Sequence, residues 1–496
     1  MSERDSPPPV QRAFSNAPMP REPRVPRIWE TLVLFHLGVL VVGLSWWFGG
    51  QSPGARQGLL VWATLGALLF FVAWGSLRQV GAAGNGPFRH LWPLLLFDLL
   101  VVVSCFNPST RIVMHQGEQM FQHITPHWSW LPSSARPDLS WRELWQFNGI
   151  VLSCYNAFLI LQRKRSLRVL LTVIAVNALA LAVFGTFQKL TGANGLWFGM
   201  VPTLQPYFFA TFVYHNHWGA FTTLNLAACL ALLFHTLRRG GHRDFWHSPV
   251  FLGSVAVVFI AATAPLSGSR SSTALEMLFL AGALTHFLAY TVRRRRAHHE
   301  SAALQIGAIV LAAVVALAGI LYLSRDVIRS RAQLTTEQIQ AITAEDTLNS
   351  RLQLYADTWR MAAEKPVFGW GLESYGDVFR IFNSQRPGEL WFGARVYREA
   401  HNDWFQALAE VGFAGTVCLL LLGVAPLWRV KWRRVASSLP RYLLAGCGLV
   451  LLYAWVEFPF ANPSVMVGFW LGLFVAGRYA RLDFVSQQEE NGAPHA

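Results

Sequence analysis

The residues with the most chemistry to offer here are a histidine and a set of arginines. The segment HNDWFQALAEVGFAG begins at His401, where an eighty-residue polar stretch, Ser324 to Asp403, gives way to an apolar run. An imidazole titrates near neutral pH, so one held at such a boundary can take a proton from a hydroxyl; the plainer alternative is a histidine that only caps a helix start. The positive end of the helix dipole disfavours the protonated ring, which leaves a neutral imidazole able to accept a proton. Arginine is always charged and donates two hydrogen bonds to one phosphate, which suits it to holding a diphosphate without a metal. Arg351, Arg360, Arg380, Arg386, Arg395 and Arg398 share the polar stretch with His401. Most such arginines are simply solvated. Arg351 stands out because it lies one helical turn before Tyr355, and Arg270 because it is isolated in the short segment LSGSRSS.

The elements that position these groups are membrane helices. Of the 496 residues 53% are hydrophobic and only 14% are charged, which excludes an ordinary soluble enzyme. The apolar residues fall into about twelve runs of roughly the length that crosses a bilayer. We therefore expect an all-α polytopic membrane protein with a disordered, Pro- and Arg-rich tail over 1–27. Spans 1–9 fall within 28–323, a large helical loop within 324–403, spans 10–12 within 404–479, and a second tail over 480–496. Within the large loop, Leu348, Leu352, Tyr355, Trp359 and Ala362 recur at helical spacing up to Lys365-Pro366, where proline ends the pattern. GWG at Gly369 supplies a turn, and ESYGDVFRIFN a second short helix.

The formal charge of +14 follows the membrane, so nucleic acid is not an expected partner. With the N-terminus inside, 25 of the 41 Lys and Arg fall on the inner side and six in short outer connections, and both termini are expected in the cytoplasm. On that topology His215, Asn216 and His217 open the sixth span, Arg270 the eighth, and His401, Asn402 and Asp403 the tenth, while Glu457 closes the eleventh. All share the outer face with the large loop. Charges deeper in a span cost roughly 2.5 to 3.5 kcal/mol, which marks Asp98, Glu276 and Glu410 as paired or functional.

A second outer segment, 107–145, contains Trp128, Trp130, Trp141 and Trp145, the pattern of an interfacial aromatic belt. Its His115, His123 and His127 lack convincing ligand spacing and accompanying carboxylates, so no metal is assigned. The five cysteines lie within the spans and form no disulfide or CxxC pattern.

Together these motifs resemble the O-antigen ligase and polymerase superfamily. Its pattern of His and Asn, Ser or Gln followed after nine residues by Gly-x-x-Gly falls on His401, Asn402, Gly412 and Gly415, with Glu410 where many members are acidic. LSGSRSS is similar to its Ser-Arg element, NSRLQLYADTWRMAAEKPVFGWGLESY to its loop signature, and YHNHWGA to an Asn-containing segment. These place family residues at Arg270, Arg351, Gly369, Gly371 and Asn216.

The resemblance implies transfer of an oligo- or polysaccharide from undecaprenyl diphosphate to a hydroxyl at the periplasmic face of the bacterial inner membrane, without metal or nucleotide sugar. The acceptor would be a lipid A core, another lipid-linked glycan or a protein side chain. Catalysis would rest on His401, Arg270 and Arg351, and substrate binding on Arg398, Asn216, His217, Asn402, Tyr355 and Glu410. A polytopic transporter or solute-binding membrane protein of the same superfamily is the alternative.

Overall fold

The computed structural model describes residues 25–79, 86–115, 118–124, 127–203, 205, 207–239, 248–330, 333, 347–384 and 397–492. The sequence motifs on Arg386 and Arg395, and all of the N-terminal tail before Val25, lie outside them. In hydrocarbon every backbone polar group must be satisfied within the protein, and helices do this locally. The first nine are α1 (Arg27–Trp46), α2 (Pro53–Gln79), α3 (Phe88–Phe106), α4 (Pro137–Ile160), α5 (Lys164–Leu190), α6 (His215–Arg239), α7 (Pro249–Ser267), α8 (Arg270–Ala297) and α9 (Ala303–Leu323). The long loop carries α10 (Thr347–Glu364) and α11 (Tyr375–Phe382), and α12 (Asp403–Val424), α13 (Leu439–Tyr453) and α14 (Pro463–Gly492) complete the bundle.

Ten of these helices are long and apolar enough to cross a membrane, so the all-α polytopic expectation holds. The other two apolar runs of the sequence are α4 and α13. Helix α4 carries Asn148, Ser153 and Asn156 along its length, and α13 has only 15 residues. At 1.5 Å per residue α13 covers about 22 Å, less than the hydrocarbon thickness of about 30 Å. The irregular chain that follows it, 454–462, therefore needs protein partners for its backbone.

Helix α6 forms the middle of the bundle, with 72% of its apolar window buried, because small residues let its neighbours approach closely. A side chain at Gly446 of α13 would collide with Ala227 of α6, and one at Gly219 of α6 with Ser272 of α8. Helix α9 is peripheral, 6% buried, and packs on α7 and α8.

The Trp-rich segment holds an element that periodicity does not reveal, a hairpin of β1 (Thr110–His115) and β2 (Glu118–His123), in register from Thr110↔His123 to His115↔Glu118. Asn107 ties the segment after it to the end of α3, donating to the carbonyls of Trp128 (2.9 Å) and Pro132 (3.0 Å). Trp128 and Trp130 stack with centroids 5.9 Å apart and are mostly exposed.

Candidate functional site

Helix α12 begins at Asp403, capped by Asn402, whose Oδ1 accepts from the Phe405 amide at 3.0 Å. Asn402 Nδ2 reaches the Trp455 carbonyl (2.9 Å), the Asp403 amide donates to the Ala454 carbonyl (2.9 Å), and Asp403 Oδ2 accepts from the Phe460 amide (3.0 Å). The start of α12 thus supplies the partners that the chain after α13 requires. His401 lies just outside the cap with φ +52, a left-handed conformation uncommon for a non-glycine residue.

These bonds bring His401 to Glu457. His401 Nδ1 lies 3.6 Å from Glu457 Oε2, beyond hydrogen-bond length but within ion-pair range, and its ring meets Phe458 edge-on at 4.6 Å. Glu457 is 4% exposed and gathers several more groups. Arg351 Nη2 lies 3.5 Å from Oε1, and the Tyr214 hydroxyl donates to Oε2 at 3.1 Å. Asn216 Nδ2 donates to that hydroxyl at 2.9 Å, and Asn216 Oδ1 accepts from Ser269 Oγ at 2.7 Å. Ser269 is the N-cap of α8 and immediately precedes Arg270. Tyr355 OH donates to the His401 carbonyl at 3.0 Å, which fixes the backbone that carries the imidazole.

One hydrogen-bonded cluster therefore joins α6, α8, α10, α12 and the chain after α13. Of the residues singled out in the sequence, it unites His401, Arg351, Tyr355 and Asn216, with Arg270 one residue from its Ser269 member. His217 is buried against the same segment, with Nε2 3.2 Å from the Phe458 carbonyl. Asn402 acts on backbone, as described. Arg398 is exposed and lies beside Glu399. Glu457 and Tyr214 complete the site. Glu457 is visible in the sequence as the polar end of a span, whereas Tyr214 gives no signal.

Glu410 has a different position. Its oxygens accept from the Glu373 (3.0 Å) and Tyr375 (3.2 Å) amides, so it holds the loop and does not face His401. The glycines explain how loop and helix come so close. Gly412 interrupts α12 with φ 62 and ψ −170, a conformation open essentially to glycine alone. The break frees backbone groups that the loop takes up: Trp370 and Gly371 donate to the carbonyls of Ala409 (2.9 Å) and Glu410 (2.8 Å). In return Phe413 and Ala414 donate to the carbonyls of Pro366 (2.9 Å) and Val367 (3.0 Å). A Cβ at Gly412 would strike the Val367 carbonyl, and one at Gly369 the backbone of Glu410.

The Trp-rich segment braces the loop from its other side. The Ala135 amide donates to the Trp370 carbonyl (2.7 Å), Ser140 Oγ to that of Leu372 (2.7 Å), and Arg136 pairs with Asp377. Lys365 Nζ donates to Ser133 Oγ (2.9 Å) and lies 4.2 Å from the Trp370 ring; burial lowers its ammonium to about 8. Of the intramembrane carboxylates, Asp98 is held by Asn148 Nδ2 (2.8 Å) and Glu276 by the hydroxyls of Thr222 (2.6 Å) and Thr223 (3.2 Å).

Chemically, the cluster offers an imidazole backed by a buried carboxylate that also carries the Arg351 guanidinium. The carboxylate, more than the helix start, is the charge partner of the ring. Comparison with known proteins agrees with the motifs. Residues 255–420 match a family model described as O-antigen ligase. The chain is 24% identical over 434 residues to the exopolysaccharide production protein ExoQ of Rhizobium meliloti (strain 1021), covering 86% of this chain and 89% of that protein. The resemblance to the O-antigen ligase and polymerase superfamily is borne out, and the long apolar helices make the chain a multi-pass membrane protein.

Proposed function

With the O-antigen ligase and polymerase resemblance as premise, we propose that this chain transfers an oligo- or polysaccharide from undecaprenyl diphosphate to an acceptor hydroxyl at the outer face of the bacterial cytoplasmic membrane. The observation that carries this proposal is the His401 imidazole, set between Glu457 and Phe458 with Arg351 on the same carboxylate. In this mechanism His401 removes the acceptor proton through Nε2, since Nδ1 faces Glu457. The acceptor oxygen bonds to the anomeric carbon as the bond from that carbon to the phosphate oxygen breaks. The diphosphate departs with the electron pair, stabilised by Arg270 and Arg351 in place of a metal. Glu457 orients the imidazole and stabilises its protonated form, much as an acid does in a catalytic triad. Asn216 and Tyr355 position Tyr214 and the His401 backbone, and Arg398 awaits the glycan at the exposed rim.

The test is reconstitution in sealed liposomes with a lipid-linked glycan and acceptor. Loss of a general base costs about 10² to 10⁴ in rate, so His401→Ala should lose transfer by that factor while inserting normally. Wild-type transfer in that variant removes the base assignment. Solute flux without any transfer favours the transporter alternative instead.

A further inference from the structure

Helix α8 carries Arg270 at its outer end, yet little apolar packing fixes where that end sits. Only 22% of its apolar window is buried, and lipid tails are as apolar as leucine, so burial alone hardly selects one register on a neighbour. The buried side chains nearest the outer end are polar: Ser272 and Glu276, after the Ser269 cap. All three meet α6. Ser269 Oγ donates to Asn216 Oδ1 at 2.7 Å, and Glu276 Oε1 accepts from the hydroxyls of Thr222 at 2.6 Å and Thr223 at 3.2 Å. Between these bonds Ser272 lies so close to Gly219 that a Cβ there would strike its hydroxyl.

The three contacts form a ladder. Ser269 with Asn216, Ser272 with Gly219 and Glu276 with Thr223 are each 53 residues apart, so the two helices run parallel in a single register. On both helices the members follow the i, i+3, i+7 spacing of one face. Tyr453, at the end of α13, closes the top rung with its hydroxyl 3.2 Å from Ser269 Oγ. The lowest rung is a costly one. Glu276 is fully buried, about 9 Å further along the axis than Arg270, and among the described residues its Oε2 has no hydrogen-bond partner. An apolar side chain of the same shape would lose less on burial. Neither threonine depends on the carboxyl, because both hydroxyls also lie 2.9 Å from the Gly219 carbonyl of their own helix. What a polar contact supplies and an apolar one does not is register.

We infer that Glu276 is a positioning residue for Arg270: it is the lowest rung of a polar ladder that sets the register of α8 on α6 and so holds the start of α8 level with Asn216 and the Glu457 cluster. The inference rests on the role proposed above for Arg270 at the diphosphate. A slip of one residue moves Arg270 by about 1.5 Å along the axis and turns it by about 100°. Misplacement by about 1 Å is enough to cost up to 100-fold in rate.

Binding of inorganic pyrophosphate to the full-length protein in nanodiscs tests this, with melting temperature measured on the same samples. Arg270→Ala should weaken binding about tenfold or more. If it does not, the diphosphate role of Arg270 falls and takes the inference with it. Glu276→Met keeps the shape and removes the rung; it should weaken binding about tenfold when Arg270 is present and add nothing to Arg270→Ala. Its melting temperature should match or exceed that of the wild type, because a buried carboxyl is lost. Glu276→Gln keeps an acceptor oxygen for the threonines and should bind within about threefold of the wild type. Gly219→Ala disturbs the middle rung from the other helix, and should also weaken binding without adding to Arg270→Ala. Should Glu276→Met fail to insert, the Gly219→Ala cycle decides. Losses that add to that of Arg270→Ala, or wild-type binding in both Glu276→Met and Gly219→Ala, overturn the inference and leave the role of Arg270 standing. A loss in Glu276→Met that accompanies a lower melting temperature and is not repaired in Glu276→Gln also overturns it, since the carboxyl then serves stability alone. In transfer assays Glu276→Met should raise KM for the lipid-linked donor about tenfold and leave KM for the acceptor unchanged.

Discussion

At the scale of single residues, the important neighbour of His401 is far away in sequence. Glu457 reaches it only because Asn402 and Asp403 bind the backbone on either side of that carboxylate, at Ala454, Trp455 and Phe460. Glu457→Gln keeps the shape and removes the charge. It should lower turnover by about 10- to 100-fold, less than loss of His401, and shift the pH profile of transfer, which a merely structural role would not do. Glu399 gives a second pH signature. Burial and the nearby Glu373 raise its carboxyl to about 7 from the ordinary 4.5. A carboxyl raised by folding favours the folded state below its unfolded value and loses that contribution as pH rises through 7. Thermal stability should therefore fall between about pH 4.5 and 7.5, by roughly 1 to 3 kcal/mol, and Glu399→Gln should flatten that slope. His401, Arg351, Tyr355 and Asn216 are legible in the sequence because their motifs are ordered and locally spaced. Tyr214 is not, since its partnership with Glu457 bridges 243 residues and an aromatic before a helix is unremarkable.

At the scale of elements, the glycine spacing His401…Gly412-x-x-Gly415 and the GWG turn are two halves of one joint. The sequence displays both, but their meaning appears only when the amides of Phe413 and Ala414 are seen to bond Pro366 and Val367. Gly412→Ala places a Cβ against the Val367 carbonyl in a conformation that costs about 1 to 3 kcal/mol for other residues. It should lower the unfolding midpoint and speed hydrogen exchange across 366–371, whereas exchange in α6 should stay at its wild-type rate. Apolar run lengths predict the bundle because helix is the solution hydrocarbon imposes on single segments. They do not predict the β1–β2 hairpin, nor that α4 starts at Pro137, ten residues before its apolar run, because loop pairings and the shoulder of α4 on Leu372 depend on contacts far along the chain.

At the scale of the whole molecule, the arginine bias and the clustered site imply opposite faces, and labelling can check this. The native cysteines are buried or partly buried in the bundle and give little background. A cysteine at exposed Ser384 should react with an impermeant maleimide added outside intact cells, and one at exposed Ser301, after the RRRR run, only once the membrane is permeabilised. A cavity lined by α3, α4, α12, α13 and α14 is the feature least legible in the sequence, because a void belongs to no single residue. The joint at Gly412 also limits how the enzyme can work. Four backbone groups of a membrane helix depend on the loop, so lifting that loop would strand them in an oily medium at several kcal/mol each. The loop segment 366–371 is then a fixed part of the roof over α12, pinned to it and not free to swing as a lid.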